Sequence, residues 1–103
     1  MTADLEVLDV DAFRRDGWLV VRAAVDAVLL DELDAAVGRL QRWAETGGPG
    51  LHHFEQTDAG AVLARSEDFV HDDPMLRDLI CSGLIVDMLG QLFGAPPALF
   101  KEK

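Results

Sequence analysis

A chain of 103 residues, 50% hydrophobic and 27% charged, has the composition of one small globular unit and not of a disordered tail. Nineteen Asp and Glu against nine Lys and Arg give a formal net charge of −10. That argues against a nucleic-acid surface and against an anionic membrane surface, both of which need clustered cations.

The acidic opening MTADLEVLDVD lacks the basic and apolar regions of a signal peptide. No apolar run approaches the roughly 20 residues that cross a bilayer. Asp9 or Asp11 is placed to cap a short helix over Ala12–Asp16, closed by Gly17. WLVVR (Trp18–Arg22) is rich in β-branched and aromatic residues and predicts a buried strand. Asp26 then caps a long helix over Ala27–Thr46. Leu30, Leu33, Val37, Leu40 and Trp43 recur there at spacings of three and four, as one apolar stripe. GGPG (Gly47–Gly50) ends the helix in a loop.

Leu51–Gln56 and Ala61–Arg65 flank TDAG, which predicts a loose hairpin or an irregular extended segment, with His52 and His53 in the loop after GGPG. Pro74 predicts a helix start, capped by Asp72 or Asp73 and running to Cys81. A further helix over Leu84–Phe93, apolar apart from Asp87 and Gln91, is expected to be buried on most sides. ALFKEK (Ala98–Lys103) has the look of a strand beginning. A strand needs neighbours, so the chain reads as the front part of something larger. Cys81 is the lone cysteine; it cannot form an internal disulfide, fits a reducing cytoplasm, and reads as a small buried hydrophobe.

His71 and Asp73 spell H-x-D, the spacing of two ligands of the facial triad that holds non-heme Fe(II). With His52 or His53 a third ligand is conceivable. The same aspartates have a sufficient local task in capping the Pro74 helix and meeting its dipole. Adjacent His52 and His53 point in different directions in extended backbone. GGPG lacks the Lys and Ser/Thr of a phosphate loop. The sequence holds neither a nucleophile elbow nor a CxxC zinc spacing.

FRRDGWLVVRAAVDAVLLDELDAAVGRL followed by ARSEDFVHDDPMLRDLICSGLIVDMLGQLFGAPPALFKEK resembles the opening of phytanoyl-CoA dioxygenase-like proteins. The order is a Phe, a DG turn, a short strand, a capped long helix, an acid–aromatic pair, two helices, and an FG before a strand. The resemblance covers nearly the whole chain from Phe13. It implies an α+β fold: a mostly helical N-terminal segment with short strands, residues 1–103, fronting a double-stranded β-helix (jelly-roll) whose barrel is largely missing. It also implies an Fe(II)- and 2-oxoglutarate-dependent oxygenase whose iron ligands lie beyond Lys103, so that His71 is not a metal ligand and the chain alone needs no cofactor. By the same resemblance Arg65 and Lys103, and with less weight Lys101, fall on positions bordering the 2-oxoglutarate pocket. The implied partners are a small-molecule substrate in the complete enzyme and either the catalytic remainder or a second copy. Two other readings stand beside it: a small acidic interaction module without catalysis, and a free-standing metal protein using His52, His53, His71 and Asp73.

Overall fold

The computed structural model describes residues 7–103. Met1–Glu6, which carry half of the acidic opening read above, lie outside the described residues. In chain order the elements are α1 (Val10–Asp16), α2 (Ala27–Thr46), β1 (Leu51–Thr57), β2 (Gly60–Glu67), a 3₁₀ turn (Val70–Asp72), α3 (Pro74–Cys81) and α4 (Gly83–Phe93). The fold is α+β, with α-helices before and after one antiparallel two-stranded sheet, against which α2 packs through β2.

Short polar side chains set the helix starts. Asp9 accepts from Ala12 N at 3.0 Å, and Asp26 from Leu29 N at 2.8 Å, each satisfying an amide that the helix itself leaves unpaired. Gly47 closes α2 in the left-handed conformation (φ 73°). Gly48 then lies so close to Trp43 that a Cβ would meet its Cδ1 at 2.9 Å, which leaves room for no other residue.

The hairpin is more regular than the sequence predicts. β1 pairs with β2 from Leu51↔Glu67 to Thr57↔Gly60, with a break in register between His53 and Phe54. Arg65 faces His53 and Leu63 faces Phe54, so Ala64 is the extra residue of a bulge. At the tip, Thr57 Oγ1 donates to Gly60 O at 2.8 Å and accepts from Ala59 N at 3.2 Å.

The core is small and lies where α2 crosses the 3₁₀ turn and α3. Ala36, Phe69, Val70 and Leu76 are buried, with Leu33, Leu40, Trp43, Met75 and Ile80 packed on them. The α2 stripe therefore differs from the expected one. Leu33, Leu40 and Trp43 face inward, but Leu30 and Val37 are 53% and 63% exposed. Ala36 takes the central, buried place, while Val37 lines the groove beside it.

Other expectations are corrected too. WLVVR forms no strand: Leu19 and Val21 are half-buried while Trp18 and Val20 stand exposed. The alternation of a strand is there, but among the described residues no neighbour supplies a hydrogen-bonding edge. The same absence leaves Ala98–Lys103 without strand pairing. α4 has no fully buried residue; its apolar side chains are half-covered and Phe93 is 58% exposed. Cys81 is exposed, one helical step past the half-buried Ile80.

Asp73 joins these parts. It is 1% exposed, receives Arg39 Nε at 2.6 Å and Nη2 at 3.0 Å, and caps α3 by accepting from Leu76 N at 3.1 Å. Asp73→Ala removes a helix cap and leaves Arg39 unpaired, and is expected to cost about 3 kcal/mol in urea unfolding. Asp73→Ser, which keeps a capping oxygen, is expected to recover about 1 kcal/mol of that.

Candidate functional site

A groove of about 680 Å³ opens between α2, β2 and α3, with Val37, Leu40, Leu63, Phe69, Leu76 and Ile80 along its walls. Its polar lining includes Gln41, Glu55, Ser66, Arg65 and Lys103. Arg65 and Lys103, which lie far apart in sequence, thus share one cavity. A mostly apolar concavity with a few convergent polar groups is the common form of a small-molecule site.

Three contacts shape its charged end. Arg65 Nε stands 2.9 Å from Glu67 Oε1, and Lys101 Nζ 3.5 Å from the same oxygen. His53 Nε2 lies 4.0 Å from Glu67 Oε2. Partial burial pushes the Glu67 carboxyl up, but Arg65, Lys101 and His53 together hold it below its ordinary value. Lys101 is thus tied to Glu67. Glu102 Oε1 accepts from the amides of Phe69 and Val70 at 3.0 and 3.1 Å, fastening the terminal segment to the start of the 3₁₀ turn. Sequence reasoning missed Glu67 and Glu102; the alternation Lys-Glu-Lys, which sends 101 and 103 to one side and 102 to the other in extended backbone, was the available signal.

Asp68 sits between these attachments in a left-handed conformation (φ 55°). Aspartate tolerates this better than most residues. The resulting turn aims Phe69 and Val70 into the core while leaving their amides to Glu102.

The histidines have other work. His52 lies in β1, not in a loop. Its Nε2 donates to the Pro49 carbonyl at 2.7 Å, so in the neutral ring Nδ1 accepts from Ser66 Oγ at 2.8 Å. Both nitrogens are engaged. Asp73 likewise spends both carboxylate oxygens on Arg39 and the α3 cap, and His71 is exposed. Among the described residues no three His, Cys, Asp or Glu side chains gather where they could hold a metal ion. The residues present do not fit Fe(II), and the free-standing triad of His71, Asp73 and His52 or His53 is not assembled. The groove, by contrast, carries two cations, Arg65 and Lys103, against one carboxylate, Glu55. Among the described residues no helix is long and apolar enough to cross a membrane.

Comparison with known proteins gives two informative relatives. A methylphosphonate hydroxylase from Gimesia maris is 29% identical over 103 residues, all of this chain and 40% of that protein. A 2-aminoethylphosphonate dioxygenase from an uncultured bacterium is 26% identical over 93 residues, 88% of this chain and 36% of that protein. The chain thus spans well under half the length of either relative. No family model matches it, and no solved structure does. One relative is named a hydroxylase and the other a dioxygenase, and they bear out the resemblance to phytanoyl-CoA dioxygenase-like proteins.

The Asp73 pair also makes a pH prediction. The hydrogen bonds from Arg39 hold the Asp73 carboxyl below its ordinary value of 3.8, against burial, with help from the Leu76 amide. A depressed carboxyl contributes stability that is complete above its unfolded-state pKa and is lost as the pH falls through the folded one. The thermal midpoint is expected to hold from neutrality down to the ordinary aspartate value and to fall below it. Asp73→Asn should start lower and show a shallower acid limb.

Proposed function

We propose that this chain is the front, N-terminal segment of an Fe(II)- and 2-oxoglutarate-dependent dioxygenase (hydroxylase) of the phytanoyl-CoA dioxygenase-like family, inactive by itself. The observation that carries the reading is similarity along all of the chain to a protein named a hydroxylase and along 88% of it to one named a dioxygenase, of which it spans only 40% and 36%. In the complete enzyme the iron and 2-oxoglutarate supply oxygen activation. The metal ligands come from residues outside this segment. Residues 1–103 form one bracing layer against a double-stranded β-helix and wall its pocket. Arg65 and Lys103 meet a carboxylate of 2-oxoglutarate at the charged end of the groove. Both relatives' names contain a small phosphonate, and that is the substrate class we assign to the complete enzyme. The lone cysteine fits a cytoplasmic setting.

The shape supports a layer over a self-sufficient domain. The radius of gyration is 16.3 Å, against about 13 Å for a compact chain of this length. Trp18, Val20, Val37 and Phe100 are 61–98% exposed, more apolar surface than a chain with so small a core would leave in water without a partner. The natural occupant of that surface is the catalytic remainder, and in its absence a second copy.

Reading the native gene past the codon for Lys103 tests the proposal directly. An H-x-D followed by a later His and Arg in frame is expected; a stop codon with no separately encoded remainder favours the acidic interaction module. In the complete protein, oxygen uptake should require Fe(II), 2-oxoglutarate and a small phosphonate. Turnover by the 103-residue chain alone overturns the reading. Arg65→Ala and Lys103→Ala should each raise the KM for 2-oxoglutarate about tenfold, the worth of one charge-assisted hydrogen bond, with little change in kcat. In sedimentation the chain alone should self-associate with rising concentration, and a compact monomer throughout contradicts the bracing-layer role.

A further inference from the structure

Glu67 stands between three cationic or titratable side chains: Arg65 from its own strand, His53 across the hairpin, and Lys101 from the far end of the chain. Arg65 and Glu67 are two apart on β2 and so share a face. The Arg65 contact runs through Nε, which leaves the terminal nitrogens of the guanidinium for another acceptor. Lys101 brings the terminal segment to the same carboxylate. The next residue, Glu102, is fastened in the opposite direction to the amides of Phe69 and Val70. The segment is thereby held on both sides immediately before Lys103, which lines the groove with Arg65.

Without the Glu67 charge, Arg65 and Lys101 would be like charges with no counter-ion between them, and the segment would be held by Glu102 alone. Nothing else among the ion pairs of the described residues ties residues 101–103 to the sheet.

We propose that Glu67 is a positioning residue for an anion subsite: it fixes Arg65 through Nε and the terminal segment through Lys101, so that Arg65 and Lys103 converge on the groove as a cation pair. The ligand is a small carboxylate, with 2-oxoglutarate the assigned one. That ligand rests on the function proposed above; the latch does not.

The test is made on the chain itself by ¹H–¹⁵N NMR, with wild type, Glu67→Gln, Glu67→Asp and Lys101→Met, each titrated with 2-oxoglutarate and separately with methylphosphonate. In wild type the Arg65 Nε–H and the amides of residues 101–103 are expected to be as ordered as the strands. Glu67→Gln and Lys101→Met should both loosen Lys101 and Lys103 about the remaining Glu102 attachment, while the hairpin amides stay in place. The affinity for 2-oxoglutarate should fall about tenfold in Glu67→Gln, as for loss of one charge-assisted contact. The thermal midpoint should hardly move, a split that a merely structural role would not give. Glu67→Asp should restore part of both effects. If wild type binds neither ligand but Glu67→Gln still loosens Lys101 and Lys103, the latch stands and the anion subsite is overturned, while the oxygenase reading, which places the iron outside this segment, is decided on the complete protein. Tighter binding of methylphosphonate than of 2-oxoglutarate overturns the ligand assigned to the subsite. The latch is overturned if Glu67→Gln leaves residues 101–103 as ordered as wild type. The positioning role is overturned if Glu67→Gln strengthens 2-oxoglutarate binding by releasing Arg65.

Discussion

The contact between Arg39 and Asp73 is the one on which the rest of the molecule depends. α2 supplies the guanidinium from the middle of its length, and Asp73 receives it where the 3₁₀ turn passes into α3. One carboxylate answers two needs. It pairs with a partly exposed cation and satisfies the first amides of α3. A buried carboxylate is tolerable only when its oxygens are occupied in this way. Once the pair forms, Val70 and Leu76 on either side of Asp73 are carried onto Ala36, and the small core closes. The groove follows from that closure, because its walls are the sides of α2 and α3 that the pair holds together, with β2 as the third side.

The terminal segment is held by a different physics. No backbone ladder involves residues 98–103; side chains attach them instead. Glu102 takes a pair of amides that a 3₁₀ turn leaves unpaired at its start, and Lys101 reaches a carboxylate already flanked by Arg65 and His53. These contacts are more exposed than the Arg39–Asp73 pair, so each is weak alone and more open to screening by salt. Their effect is geometric more than energetic. They decide where Lys103 comes to rest, and so whether Arg65 faces the groove alone or as one of a pair.

Local signals carried most of the secondary structure in the sequence. Asp26 and Gly47 mark the limits of α2, and Asp73 with Pro74 marks the start of α3, because capping is a matter of a few consecutive residues. What the sequence concealed was non-local. That Ala36 and not Val37 sits at the helix crossing depends on which face of α2 meets the 3₁₀ turn and α3. That WLVVR stays unpaired depends on whether an edge is present, which the segment's own composition cannot reveal. The H-x-D at His71 was legible as a spacing and misleading as chemistry, since the Asp73 oxygens are claimed by a residue 34 positions away. Arg65 and Lys103 were singled out only through the family resemblance; that they share a groove is a tertiary fact, and the acids that hold them there left no motif beyond an alternation of charge.

The placement of charge bears on how such a segment would serve an oxygenase. The chain is strongly acidic as a whole, so a diffuse positive field cannot draw an anion to it. A cation pair in a mostly apolar groove can, because low-dielectric walls reduce the screening that water imposes on exposed charges. The cost is repulsion among Arg65, Lys101 and Lys103, and Glu67 offsets it from outside the groove. Glu55 lines the groove and leaves its two cations one charge in excess, whereas Glu67 is not among its walls. Placed behind Arg65, at Nε, it neutralises the back of the guanidinium and leaves the front to act. Under the function proposed above, the segment's contribution to the pocket is therefore more than a wall: it is a pair of aimed cations whose aim is set by an anion the ligand never touches.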